Sequence, residues 1–163
     1  MIYVTVGTHE QQFNRLVQTI DELQGNGRIN DEVLIQTGFC TYEPKFCEYK
    51  SMFSYKELTA NMEKARIIIT HGGPSSFVQP LQMGKVPIVV PRLKQYKEHV
   101  NNHQLDFCRQ VSKRYNNIIL VEDIDTLENT INYYDSIVGD MPGGMKSNNE
   151  AFMKEFIHLI DTL

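Results

Sequence analysis

Residues 67–77 read Ile67-Ile68-Ile69-Thr70-His71-Gly72-Gly73-Pro74-Ser75-Ser76-Phe77. The chain runs on through Gln79 and Gly84 to a second apolar run, Val86-Pro87-Ile88-Val89-Val90-Pro91. A buried strand ends in a histidine, two glycines and two serines follow, and a helix begins. That order makes an anion site. The first-turn N–H groups of a helix lack intrahelical partners and carry the positive end of its dipole. Glycines admit a ligand's phosphates to the backbone. The hydroxyls and the imidazole add side-chain donors.

Outward from this block, strands and helices alternate. Met1–Val6 reads as a strand. Thr8-x-x-Gln11 is a capping pattern for a helix with the apolar face Phe13, Leu16, Val17, Ile20 and Leu23. Residues 32–36 and, more weakly, 46–52 read as the next strands. Ser54-x-x-Glu57 opens a helix to about residue 64. After the strands at 66–70 and 87–90, a loop with Arg92, Lys94 and Lys97 leads into a helix expected over 98–114. A strand at 118–121 and a helix capped by Asp125-x-x-Glu128 and running to Val138 complete the alternation. Residues 139–149, with Pro142 and Gly143-Gly144, read as a linker or loop. Ser147-x-x-Glu150 caps a last amphipathic helix over 150–163. The expectation is an α/β fold: one Rossmann-like domain over 1–138 with about six parallel strands and helices on both faces.

In such a sheet, ligands bind outside the carboxyl ends of the strands. The segments there are Gly7-Thr8-His9-Glu10, Thr37-Gly38, His71-Gly72-Gly73 and Arg92–His99, which carry three of the five histidines. Composition narrows the ligand classes. The 163-residue chain has a net charge of −4 and no basic run, which argues against nucleic acid. It has no apolar stretch of bilayer length and no signal-peptide pattern. Its three cysteines, Cys40, Cys47 and Cys108, fit neither a disulfide framework nor a zinc site. The turn after the first strand has one glycine where a dinucleotide fingerprint needs three. No Gly-x-x-x-x-Gly-Lys-Ser/Thr loop and no Gly-x-Ser-x-Gly elbow is present.

The block from His71 through Gln79 and Gly84 to Pro91, followed by Glu98-His99-Val-Asn-Asn-His103-Gln104, resembles the donor-binding half of GT-B glycosyltransferases of the family 28 C-terminal-domain type. The opening Val4-Thr-Val-Gly-Thr-His-Glu-x-x-Phe13-x-x-Leu16 resembles the bacterial exopolysaccharide and capsule members. The resemblance covers about residues 1–121. It implies a UDP-sugar donor, held by Gly72, Gly73, Ser75 and Ser76 at the diphosphate, with His71 beside them. It implies Gln79 at the ribose, where relatives usually carry glutamate. It sets Gly7 and Thr8 at the diphosphate or the sugar, Glu98, His103 and Gln104 around the sugar, and uracil near the loop after Gln36 or near Phe53. His9 or Glu10 is the local candidate for the base that activates an acceptor hydroxyl, unless a partner supplies it.

The same resemblance implies an inverting transfer with no obligatory metal and no other cofactor. Such enzymes have two Rossmann-like halves, and this chain has the length of one. The implied partner is therefore a membrane-anchored subunit holding a lipid-linked saccharide acceptor, with this chain in the cytoplasm, peripheral to the inner face of the plasma membrane. A non-catalytic nucleotide-sugar-binding or partner-binding module is the alternative. A nucleotide-sugar epimerase would need both halves in one chain. Plainer roles stand beside these: helix caps for Ser75 and Ser76, a solvated face for Glu98, His99 and His103, and solvent-facing charge for Arg92, Lys94 and Lys97. Phe152, Phe156, Leu159 or Ile160, and Leu163 lie at helical spacing. They suit packing on the domain's own sheet or docking across to a partner equally well.

Overall fold

A computed structural model of the protein describes residues 1–141 and 149–161. Six strands form one all-parallel sheet: β1 (Ile2–Thr5), β2 (Val33–Gln36), β3 (Glu48–Lys50), β4 (Ile67–His71), β5 (Ile88–Val90) and β6 (Ile119–Leu120). Their spatial order is β3-β2-β1-β4-β5-β6. The helices are α1 (Asn14–Gly25), α2 (Tyr55–Lys64), α3 (Pro74–Gln82), α4 (His103–Tyr115), α5 (Leu127–Asn132), α6 (Tyr134–Asp140) and α7 (Asn149–Asp161). The chain is an α/β protein of Rossmann-like order.

The central strands are apolar up to their polar carboxyl-terminal residues, Thr5 and Thr70-His71, because both faces are covered. Successive side chains split between two layers. Ile2, Val4, Val6, Ile67, Ile69, Ile88 and Val90 pack with α1, α5 and α6. Tyr3 and Ile68 meet α2 on the other face, and Val89 meets α3, α4 and α7. Truncating a fully buried isoleucine such as Ile69 to alanine costs roughly 2–5 kcal/mol at such a position. By contrast β3 is an edge strand, exposed at every residue.

Two polar anchors brace the layers. Asp21 is fully buried on α1 and accepts the N–H groups of Lys45, Phe46 and Cys47 and the Tyr42 hydroxyl. Burial pushes its carboxyl up, but these four donors together hold it below the ordinary value. Lys85, just before β5, donates to the carbonyls of Met62, Glu63 and Ala65 and so closes the C-terminal end of α2.

The Ser54–Glu57 capping box forms in full, with both reciprocal bonds made. Other expectations fail. Thr8 does not cap α1. That helix starts at Asn14, whose N–H is taken by the Gln12 side chain, and residues 8–13 form a loop. The helix expected from Glu98 starts at His103, because Lys94–Tyr96 form a 3-10 turn and Lys97 is left-handed with φ of 57°. Asp123, not Asp125, caps the next segment. The helix expected to Val138 is broken at Tyr133 into α5 and α6, and α6 continues through Gly139 and Asp140.

Residues 142–148, including Ser147, lie outside the described part, as do the side chains of Glu150, Leu159, Ile160 and Leu163. Phe152 and Phe156 are buried on the domain itself, against Tyr115 and Phe107 of α4. All three cysteines are free. Burial raises each thiol, Cys47 and Cys108 to about 12, and Cys40 accepts the Phe13 N–H.

Candidate functional site

The strand order reverses direction at β1 and β4, whose onward connections lead to opposite sides of the sheet. A crevice opens outside their carboxyl ends, the place where open α/β sheets hold ligands. It is a cleft of about 420 Å³ lined by Thr5, Gly7, Thr8, His9, Gln36, Leu58, Met62, His71, Ser75, Ser76 and Gln79. Seven of these were expected from sequence: Gly7, Thr8, His9, His71, Ser75, Ser76 and Gln79.

His71 is the last residue of β4 and only 8 % exposed. Its Nδ1 accepts the Gly73 N–H at 3.0 Å, so the neutral ring carries its proton on Nε2. That proton is directed at Ser76 Oγ, 2.7 Å away. Ser76 then has its own hydroxyl proton free for a ligand oxygen. Burial first, and the Arg92 charge second, push His71 down from 6.5 to about 4, against the side-chain bond to Gln104. The ring is therefore neutral near pH 7, and its contribution is a directed dipole rather than a charge.

Glycines make this geometry possible. A Cβ at Gly7 would collide with His71 Nε2, and one at Gly73 with His71 Cε1, so the imidazole fills the space that two absent side chains leave. Gly7 also has φ of 74°, a backbone region that glycine occupies freely. The glycine N–H groups point inward. Gly73 bonds His71, and Gly72 donates to Gln104 Oε1 at 3.1 Å. The same oxygen accepts the Arg92 N–H at 3.1 Å, while Gln104 Nε2 stands 3.4 Å from His71 Nδ1. Gln104 is thus a bracket behind His71, with its carbonyl already committed. What faces the cleft is the start of α3: Pro74 at the first turn, exposed Ser75, and the Ser76 hydroxyl at the positive end of the helix.

His9 lies across the cleft, half-buried, in the loop after β1. Its Nδ1 accepts the Gln11 N–H at 3.1 Å, so its neutral ring also carries the proton on Nε2. In this arrangement it offers a donor, not a basic lone pair. Its ring stands 5.0 Å from that of His99. Burial, then Arg92 and His99, lower its affinity for a second proton, and Glu10 opposes them. Gln79 gives its amide N–H to Thr59 Oγ1 at 3.1 Å, which leaves its carbonyl as the ligand-facing end. Gln36 accepts the Tyr3 hydroxyl, and Phe53 packs edge-on against Tyr3.

Five expected site residues are not in the cleft lining: Gly72, Gly73 and Gln104 stand at the turn behind His71, and Glu98 and His103 lie farther off. Glu98 is fully buried, with its carboxylate on Arg15 at 2.9 and 3.0 Å and on the Leu93 N–H; it braces a loop and does not line the cleft. His103 is exposed at the start of α4. It faces a separate cavity of about 550 Å³ beyond the Gly72-Gly73-Pro74 turn, shared with His99, Phe107 and Phe156. Arg92, expected either in solvent or, from its place beyond a strand end, at a phosphate or acidic sugar, is 1 % exposed, whereas Lys94 and Lys97 are exposed. Gln36, Leu58 and Met62 were missed as cleft residues because nothing in their local pattern marks a ligand wall. Among the described residues, no three His, Cys, Asp or Glu side chains come together to hold a metal ion.

The glycosyltransferase family 28 C-terminal domain matches this chain over residues 1–158. The UDP-N-acetylglucosamine transferase subunit ALG13 of Homo sapiens is 31% identical over 121 residues, which is 69% of this chain and 10% of that protein. Its counterpart in Mus musculus is 29% identical over 123 residues, 68% of this chain and 10% of that protein. This chain therefore spans about a tenth of the length of these curated relatives. The glycosyltransferase SnogD from Streptomyces nogalater aligns in structure with a TM-score of 0.49 at 16% identity, over 93% of this chain and 42% of that one.

Proposed function

This chain belongs to the family of the glycosyltransferase family 28 C-terminal domain, and from that premise we propose that it is the donor-binding subunit of a UDP-sugar-dependent glycosyltransferase. The observation that carries the reading is the His71–Ser76 pair at the start of α3, set at the switch point of the sheet. A diphosphate laid there meets the helix dipole, the Ser75 and Ser76 hydroxyls and, from β1, the His9 Nε2–H. Donors already aimed at the departing diphosphate stabilise the charge that builds up as the sugar C1–O bond breaks. Ser76 is polarised by His71 without either group changing its ionisation. The ribose lies toward the Gln79 carbonyl, and uracil toward Gln36.

Displacement of UDP by an acceptor hydroxyl on the opposite face inverts C1 and needs no metal, given the donors named. It does need a base for that hydroxyl. His9 as it stands presents a proton, so in this reading the base comes from a partner, or His9 must first release Gln11. That supports pairing with a second, acceptor-binding subunit, as does the similarity to ALG13, itself a transferase subunit. No described helix is long and apolar enough to cross a membrane. A lipid-linked saccharide acceptor, a membrane-anchored partner and a place in exopolysaccharide or capsule synthesis complete the proposal. Their support is the Val4–Leu16 opening.

A second reading, a nucleotide-sugar-binding module without turnover, draws on the same missing base. Titration of UDP and several UDP-sugars against the chain tests both. Binding that weakens in Ser76→Ala and His71→Ala supports the donor site, and no binding even with a partner present sinks it. Transfer to a lipid-linked acceptor by the pair, lost in His71→Ala, excludes the passive module.

A further inference from the structure

Behind the cleft lies a charged cluster that the donor reading leaves unused. The buried Arg92 guanidinium donates to four backbone carbonyls. Nη2 reaches Val6 at 2.8 Å, and Nη1 reaches Gln11 at 2.8 Å, Gln12 at 3.0 Å and Glu98 at 3.2 Å. Its plane lies 4.9 Å from the Phe13 ring centre, and its Nε has no acceptor among the described residues. The nearby Glu98 carboxylate is bound by Arg15 instead. Two guanidiniums and one carboxylate leave this cluster with an excess positive charge. A buried arginine that served packing alone would ordinarily be paired with a carboxylate of its own. This one satisfies its hydrogen bonds with carbonyls, which leaves its charge uncancelled and felt by its surroundings.

The surroundings are the site. Val6, Gln11 and Gln12 flank His9, and Glu98 belongs to the loop after β5. The Arg92 N–H is held by the same Gln104 oxygen that fixes Gly72, beside His71. We propose that Arg92 is a positioning residue of the donor site: it ties the His9 loop to the loop after β5 and fixes a positive charge behind His9 and His71. That charge draws an anion to the cleft and keeps both rings neutral, the form in which each points an Nε2 proton outward. This deepens the donor-site reading and uses its geometry.

The groups facing each ring agree with this. Around His71 stand Arg92, Gln104, His9 and His99. Around His9 stand Arg92, His99 and Glu10, and Glu10 alone favours the charged ring. In both, burial is the larger cause and Arg92 the next. A second proton would have to enter at Nδ1, where Gly73 and Gln11 already donate.

The test is imidazole NMR of the whole free chain, titrated from about pH 8 to about pH 4. Arg92→Gln removes the charge and is expected to move the His71 midpoint up by about one pH unit and the His9 midpoint in the same direction. Arg92→Lys keeps the charge but not the fork, so the midpoints stay low while amide exchange at residues 11 and 12 quickens. If Arg92→Gln does not fold, Arg15→Gln carries the test. It takes the cluster from net positive to neutral, and both midpoints should rise, by less. Unmoved midpoints in the folded variants overturn the inference. So does a Lys variant whose midpoints rise as far as those of the Gln variant, since packing alone then explains them. UDP titration of the wild-type chain is separate: no UDP binding with midpoints that move as stated ends the donor reading and leaves only Arg92's control of the two histidines standing.

Discussion

His71 ends β4 and His9 lies in the loop after the neighbouring β1; both face the same cleft and carry the same tautomer, yet they are built differently. His71 is enclosed: two glycines are shaped around it, Gly73 and Ser76 take its two nitrogens, and Gln104 stands behind. His9 is half open, held by one N–H, with its ring tilted beside that of His99. Enclosure makes a histidine a fixed donor whose value lies in aiming another group. Openness leaves a histidine able to meet a ligand directly and to change partner. A shared device underlies both, and His99 repeats it weakly: the N–H two residues downstream bonds Nδ1, at 3.4 Å for Asn101 and His99. At each turn the backbone chooses the tautomer.

Experiments can widen or erase this difference. The largest expected effect is in His71→Ala, where loss of the Ser76 aim lowers kcat/KM of the reconstituted pair by roughly 10²–10³-fold. A change under tenfold would demote His71 to packing. Acid comes next. The unfolded chain takes up a proton at His71 near 6.5 and the folded chain not until about 4. The unfolded state therefore binds more protons in that window, and stability present above pH 6.5 falls as pH drops toward 4, by about 3 kcal/mol in all. Urea unfolding across the window reads this loss, and it should shrink sharply in His71→Gln. Gly73→Ala, which drives a methyl into the imidazole, should cost about 2 kcal/mol by the same assay and weaken UDP binding with it. Last, His9→Gln keeps a donor near the Nε2 position and should lower kcat/KM by about tenfold or less. A drop of 10²–10⁴-fold, the range of general-base removal, would make His9 the base after all.

The contrast also explains what was readable. Ile67–Ile69 and Ile88–Val90 announce buried strands because parallel strands covered on both faces must be apolar. Ser54 and Glu57 announce a helix start because their bonds span three residues. Thr8 and Gln11 show the same pattern and do not cap, because the loop there is held from outside by Arg92 and Gln12 takes the end of α1. Glu98 looked like a ligand residue by position. It is a brace because Arg15, 83 residues away in the chain, folds onto it. Arg92 had no local signature either, since its acceptors at Val6, Gln11 and Gln12 lie 80 or more residues back.

The sequence by itself determined the alternation of strands and helices, the strand-histidine-glycine-serine turn and the family. These rest on interactions within a few residues or on apolar pattern. Only the tertiary structure decided that the glycines make room for an imidazole and that Gln104 is a bracket behind it. It also decided that a buried arginine stands behind both histidines. Those facts are contacts between segments distant in the chain, and a side chain's partners across such distances follow from packing, which no local pattern encodes.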